Sequence, residues 1–238
     1  MHDYQRRFVD FLVECGAFRL GNFTLKSGRL SPTFLNTGLV DDGVGLLRLG
    51  EAYAGRMLET VGATGFDSVF GPAYKGIPLA VATTVALAAQ GVRKPYLFDR
   101  KEKKTHGEEA AAKADAAALI VGHRPVAGER IALVDDVLTT GATKYEAVAL
   151  LRSLVEGARF PCLVIALDRQ EVGPDGTDAC GKFTADTGIP VVPAVTMTEV
   201  LSHLDATGRL SADDRTRCRA YLEAFGTPAA KAWAASVR

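Results

Sequence analysis

Ile131-Ala132-Leu133-Val134-Asp135-Asp136-Val137-Leu138-Thr139-Thr140-Gly141-Ala142-Thr143 is a short apolar run that ends in two adjacent carboxylates and a turn of hydroxyls and glycine. Four consecutive apolar residues followed by turn formers, with helical spacing from about Thr143 to Glu156, read as buried strand, turn and helix. Paired carboxylates at the end of a buried strand are costly to desolvate unless they meet cations or hydroxyls, which suggests a sugar or a ligand carrying Mg2+. Thr139, Thr140, Gly141, Ala142 and Thr143 add hydroxyls and free backbone N–H groups at a helix N-terminus, an arrangement that holds phosphate. With Asp135, Asp136, Val137 and Leu138 they form a candidate ribose-phosphate cradle. Two plainer readings stay open here: a turn in which Asp136 or Thr143 only caps the helix, and the acid pair of a receiver-type phospho-acceptor domain.

The same strand-then-helix rhythm extends in both directions. Tyr4 to Cys15 has helical spacing and stops at Gly16; Asn22 to Lys26 and Pro32 to Val40 read as extended pieces around a Ser27-Gly28 turn. A helix from Gly45 to about Val61 leads to the strand Ser68 to Phe70, and a long apolar helix, Ile77 to Gln90, to the strand Pro95 to Phe98. After an Ala-rich piece, Ala110 to Leu119, and the central stretch come a strand at Cys162 to Leu167 and another at Val191-Val192. Thr198 to Leu204 and Asp213 to Phe225 read as terminal helices. Strands apolar on both faces, alternating with helices, predict an α/β fold with a parallel sheet flanked by helices.

Composition sets the outer bounds. The chain has 238 residues, and 28 Lys+Arg balance 28 Asp+Glu, so nothing favours nucleic acid or an anionic membrane as a partner. Cys15, Cys162, Cys180 and Cys218 are widely spaced, which suits neither a zinc knuckle nor a disulfide framework and points to a reducing cytoplasm. The longest apolar run, Leu79 to Ala89, is too short to cross a bilayer. His2, His123 and His203 stand apart without ligand spacing, and Trp233 is expected to pack or fray with the tail.

In an open parallel sheet the crevice lies beyond the carboxyl ends of the strands, so the residues following each strand carry the chemistry. Gly71-Pro72-Ala73-Tyr74-Lys75-Gly76 follows one strand and offers backbone N–H groups and the Lys75 ammonium to an anion; the plainer alternative is a surface turn with a solvated lysine. Arg100 to Glu109 gathers four cations and His106 within seven residues. Taken alone, such a run is usually a solvated loop.

The acid-acid-x-x-x-Thr-Gly pattern resembles the diphosphoribosyl-binding motif of the type I phosphoribosyltransferases. Phe23-Thr24-Leu25-Lys26-Ser27-Gly28-Arg29 with Ser31-Pro32, the Gly71 to Leu79 segment, Arg100 to Glu108, and Leu167-Asp168-Arg169-Gln170-Glu171 each resemble a segment of the orotate phosphoribosyltransferases, in that family's order, over roughly residues 1 to 225. The resemblance implies a single domain over 1–238, with 1–40 and about 185–205 forming a small N-terminal/C-terminal hood and 100–125 a mobile catalytic loop. It implies transfer of a phosphoribosyl group from 5-phosphoribosyl 1-diphosphate to orotate with Mg2+ as cofactor, held near Asp135 and Asp136 largely through water and substrate. Tyr74 and Lys75 match pyrophosphate contacts, and Lys26 a donor contact. Arg100, Lys101, Lys104 and His106 match the loop cations, some reaching a neighbouring subunit's site, which implies a homodimer. Lys104, Arg100 and His106 are the expected catalytic residues, with Lys104 the most important. Arg169 matches an orotate contact, with Phe34 and Leu35 lying against the base and Thr139 giving a further polar contact; a carboxylate-bearing planar base calls for such a fork-shaped cation.

One departure stands out. Where the family continues from His-Gly-Glu into a Gly-Gly hinge, this chain has Glu108-Glu109-Ala110 and an Ala-rich stretch, lengthening the loop by about ten residues. Two competing readings lack a feature: a purine phosphoribosyltransferase has no use for the Lys26 segment and Arg169, and a donor-binding regulatory module none for a complete cationic loop.

Overall fold

The computed structural model describes residues 1–25, 28–100, 119–138 and 141–237. Its central sheet has six strands in the order β5-β4-β3-β6-β7-β8: Ile120–Gly122, Tyr96–Asp99, Ser68–Phe70, Ile131–Asp135, Leu163–Asp168 and Val191–Thr196. β4, β3, β6, β7 and β8 run parallel, as expected. β5 is antiparallel to β4, with Asp99 opposite Ile120, so the sheet is mixed rather than purely parallel. Three residues behind an Ala-rich stretch carry too little pattern to signal a strand, and only their long-range pairing defines one.

The sheet sorts its side chains by period-two alternation. Ala132, Val134, Val164 and Ala166 face one layer, built by α1 (Asp3–Glu14), α2 (Gly43–Val61), α3 (Gly76–Ala89) and α6 (Met197–Ala206). Ile131, Leu133, Leu163 and Ile165 face the other, covered by α4 (Ala142–Leu154) and α5 (Ala179–Thr187). β8 runs on to Thr196, beyond the expected Val191-Val192, because a proline is tolerated on an outer strand and Pro193 therefore does not end it.

A second, two-stranded sheet joins β1 (Phe18–Thr24) to β2 (Leu30–Leu35), with an irregularity between Leu20 and Phe23. It begins four residues before the expected Asn22. The hairpin is pinned to α7 (Ala212–Phe225): Arg217 donates to the Gly21 carbonyl at 3.1 Å, and the Arg29 guanidinium lies 4.6 Å from the centre of the Phe225 ring. Residues 185–205 hold the end of α5, then β8 inside the main sheet, then α6. α8 (Pro228–Ser236) closes the chain, and Trp233 packs there with its indole N–H on Ser202 at 2.8 Å. Among the described residues no helix is long and apolar enough to cross a membrane.

Candidate active site

The chain lays down β3, then β4 on one side of it and β6 on the other, so the strand order reverses between β3 and β6. Doubly wound sheets open a crevice at such a point, beyond the strands' carboxyl ends. The loop after β3 and the loop after β6 flank it here, and both were singled out from sequence.

The first loop turns sharply. A Cβ on Gly71 would lie 1.9 Å from the Gly76 carbonyl oxygen, so only glycine lets the end of β3 fold back onto the start of α3. The Ala73–Tyr74 peptide is cis. The Ala73 N–H donates to the Asp99 carboxylate at 2.6 Å, which ties this loop to the end of β4. Tyr74 and Lys75 then project outward, with the Lys75 side chain 62% exposed.

The second loop carries the acid pair. Asp135 and Asp136 are both buried, at 4% and 9% exposure. Asp135 takes the Asp136 N–H on Oδ1 at 2.8 Å and the Lys144 ammonium on Oδ2 at 2.6 Å. Asp136 takes the Val137 N–H on Oδ1 at 2.7 Å and the Lys75 ammonium on Oδ2 at 2.8 Å. The Lys75–Asp136 pair therefore bridges the two loops across the crevice. Beneath it, the buried Tyr53 hydroxyl donates to the Asp135 carbonyl at 2.7 Å. Burial pushes the Asp135 carboxyl above the ordinary carboxylate range, and the Lys144 ammonium opposes that rise. Burial, then the charges of Asp136 and Asp135, push the Tyr53 phenol well above its usual range.

Gly141 enters α4 in the left-handed conformation, φ 75°, and as the N-cap residue it has no side chain with which to cap the helix. Among the described residues, the opening N–H groups of α4 have no capping side chain, and Val137 and Leu138, which precede the turn, are half-buried.

At the end of β7, Arg169 is held rather than free. Its Nε and Nη2 donate to Glu171 Oε1 at 3.0 and 2.6 Å, and Nη2 also reaches the Ser31 hydroxyl at 3.2 Å. Glu171 in turn accepts from the Tyr221 hydroxyl of α7 at 3.0 Å; burial first, then Glu171, push that phenol up to about 12. Arg169 therefore sits under the hairpin, and it is Ser31 of β2 that meets it. Phe34 stacks on Phe23, ring centres 5.2 Å apart, with the Arg19 guanidinium 5.5 Å from its own ring centre, while Leu35 packs on the core.

The structure thus brings Lys75, Asp135, Asp136 and the start of α4 together, and keeps Phe34 on the face of β2 opposite Ser31. Arg100 is exposed at the end of β4. Lys26, Lys101, Lys104, His106, Thr139 and Thr140 lie outside the described residues. Sequence reasoning missed Lys144, Tyr53, Asp99 and Tyr221. Only Lys144 left a signal: a cation in the first turn of a helix, where the macrodipole disfavours it, one turn past two carboxylates. Among the described residues no cluster of three or more His, Cys, Asp or Glu side chains could hold a metal. Two carboxylates at a strand end suit Mg2+, which keeps several waters and shares substrate phosphates, better than an ion needing a full protein cage.

Comparisons with known proteins agree with the fold. The family model described as Phosphoribosyl transferase domain matches residues 40–189. The orotate phosphoribosyltransferase of Marinobacter nauticus is 44% identical over 204 residues, covering 86% of this chain and 90% of the relative. That of Pseudomonas fluorescens is 42% identical over 227 residues, covering 95% of this chain and all of the relative. The crystal structure of the Francisella tularensis orotate phosphoribosyltransferase superposes with a TM-score of 0.78 at 31% identity, over 92% of this chain and 99% of that one.

Proposed function

The chain belongs to the phosphoribosyl transferase family and, within it, to the orotate phosphoribosyltransferases, and from that premise we propose how the crevice between β3 and β6 divides the work of the reaction. Orotate N1 gives up its proton to solvent and forms a bond to C1 of 5-phosphoribosyl 1-diphosphate while the C1–O bond to diphosphate breaks, giving orotidine 5'-monophosphate and diphosphate. No protein nucleophile is needed. Positive charge develops on the ribosyl ring and negative charge on the leaving group, so catalysis rests on alignment and on cations placed for the diphosphate.

In this reading Asp135 and Asp136 take the ribose hydroxyls, and Val137 to Thr143 cradle the 5-phosphate at the start of α4. Tyr74 and Lys75 take the diphosphate, with Lys26 as a further donor contact. Arg100, Lys101, Lys104 and His106 cover the leaving group, Lys104 contributing most. Arg169 pairs with the orotate carboxylate beneath the hairpin of Phe34 and Leu35, with Thr139 beside it. Mg2+, held near Asp135 and Asp136 largely by water and substrate, supplies charge neutralisation of the diphosphate. A homodimer with shared sites is part of the same proposal; the exposed apolar side chains Leu39, Val44 and Leu47 around the start of α2 support a face for a second copy.

The observation that carries the reading is the Lys75–Asp136 pair at 2.8 Å, which joins the two loops at the point where the strand order reverses. The test follows orotate's ultraviolet absorbance with purified protein, with adenine, hypoxanthine and uracil in parallel. Orotate is expected to disappear only when both the donor and Mg2+ are present. Turnover without Mg2+ would remove the metal from the proposal, and preference for another base would remove the role of Arg169.

A further inference from the structure

Lys144 has an unusual position. It lies in the first turn of α4, where a positive charge opposes the helix dipole, yet its side chain is only 13% exposed and its ammonium is 2.6 Å from Asp135 Oδ2. As a stabilising device such a pair is poor, because desolvating two charges offsets most of their attraction and apolar side chains of similar size pack as well. Nor does the fold need Lys144 to hold the strand end in place. Asp135 is already tied by its own carbonyl to Tyr53 and by Oδ1 to the Asp136 N–H.

What Lys144 does is place a cation beside the end of β6, in the first turn of α4, whose N-cap residue Gly141 offers no side-chain acceptor. Helix N–H groups and an ammonium converging on one gap form a seat for a dianion. Lys75, by contrast, reaches its carboxylate from the opposite loop with a side chain that is mostly exposed, so it serves the far side of the crevice.

We propose that Lys144 is a further donor-binding residue: its ammonium, parked on Asp135 in the free enzyme, bridges that carboxylate and the donor's 5-phosphate once the phosphate is seated at the start of α4. This rests on the function proposed above, and the two ends of the donor separate the two ideas. Lys144 strengthens binding of the 5-phosphate end and leaves the diphosphate end, served by Lys75, unaffected.

The test is calorimetric titration of the full-length protein with ribose 5-phosphate and, separately, with inorganic pyrophosphate. Lys144→Met is expected to weaken ribose 5-phosphate at least about tenfold, the scale of one charge-assisted contact, with pyrophosphate changed less than twofold and Lys144→Arg recovering most of the loss. Because Lys144→Met leaves the Asp135 carboxylate buried without its cation, Asp135→Asn and the paired Lys144→Met/Asp135→Asn protein are measured as well. A further loss of ribose 5-phosphate affinity from Asp135→Asn to the pair is the direct share of Lys144. Equal affinities in those two proteins, or equal weakening of both probes in Lys144→Met, would overturn the proposal and make Lys144 a packing residue. Wild-type protein that binds neither probe would instead sink the reading of the crevice itself.

Discussion

The two ends of the central sheet both hold carboxylates beside cations, and they use them differently. At the amino ends of β3 and β6, every charge is consumed by the fold. Arg130 grips Asp67 through Nε and Nη2 at 2.9 and 2.6 Å, and Glu129 accepts from Ser68 at 2.5 Å, from the Val126 N–H at 2.9 Å and lies 3.1 Å from His123. At the carboxyl ends, Asp136 is held by a lysine that is mostly exposed, and α4 opens on a glycine with no capping side chain of its own. Polar groups that the protein satisfies completely hold strands in register, whereas those with releasable partners can exchange them for a ligand. The placing of glutamate between serine and histidine at the amino ends also shows that those three are a strut and not a nucleophile with its base.

The sharpest way to break this division is Asp136→Asn. It should lower turnover about 100-fold while shifting the melting temperature by no more than about 2 °C, read from orotate consumption and calorimetry. A large loss of stability would place that carboxylate with the strut. The converse is Glu129→Ala, which leaves the buried Ser68 hydroxyl and the Val126 N–H without their acceptor. It should cost about 2–3 kcal/mol in urea unfolding, with the turnover of the folded fraction intact.

Within the carboxyl end, Glu171→Gln tests whether acceptor and donor halves are separate. Loosening Arg169 should raise the KM for orotate about tenfold and leave that for the donor unchanged. An equal rise in both would mean the loop carries the whole crevice. The smallest effect belongs to Arg130→Ala, a partly exposed pair, which should lower the melting temperature by about 2 °C at neutral pH. Hydrogen bonding to Arg130 holds the Asp67 carboxyl down to about 2, against the opposing effect of burial. Its contribution is therefore complete above the ordinary carboxylate value near 4 and fades as pH falls through about 2. The melting temperatures of the two proteins should converge over that interval.

What was legible in the sequence followed chain neighbours. Val134-Asp135-Asp136 and Phe70-Gly71-Pro72 each place a strand end and its loop in one contiguous stretch, so apolar runs and turn formers were enough to find both walls of the crevice. The pairing of Lys75 with Asp136 had to wait for the fold, because strand order, not spacing, sets those loops side by side. Lys144 shows in the sequence only as a misplaced cation in the first turn of a helix, and its partner Asp135 appears only in the fold. Ser31 and Tyr221 meet the Arg169–Glu171 pair from opposite ends of the chain. α5 escaped because, among its residues, Phe183 alone is buried, which leaves no apolar stripe to read. Lys104 and the remaining loop cations rest on their resemblance to the family, since 101–118 lie outside the described residues.

The antiparallel strand at the sheet's edge has a consequence for how this enzyme can change over generations. Because β5 returns beside β4, the Arg100 N–H donates to the Leu119 carbonyl at 2.8 Å, and the stretch between them starts and finishes at one hydrogen bond. Closure cost for a stretch with fixed ends grows only with the logarithm of its length, about 0.6 kcal/mol for each doubling. Insertions there cost the sheet almost nothing, so chain length at that place is free to vary while the rest of the scaffold stays put. A lineage could acquire the Ala-rich extension, or shed it, in a single genetic step.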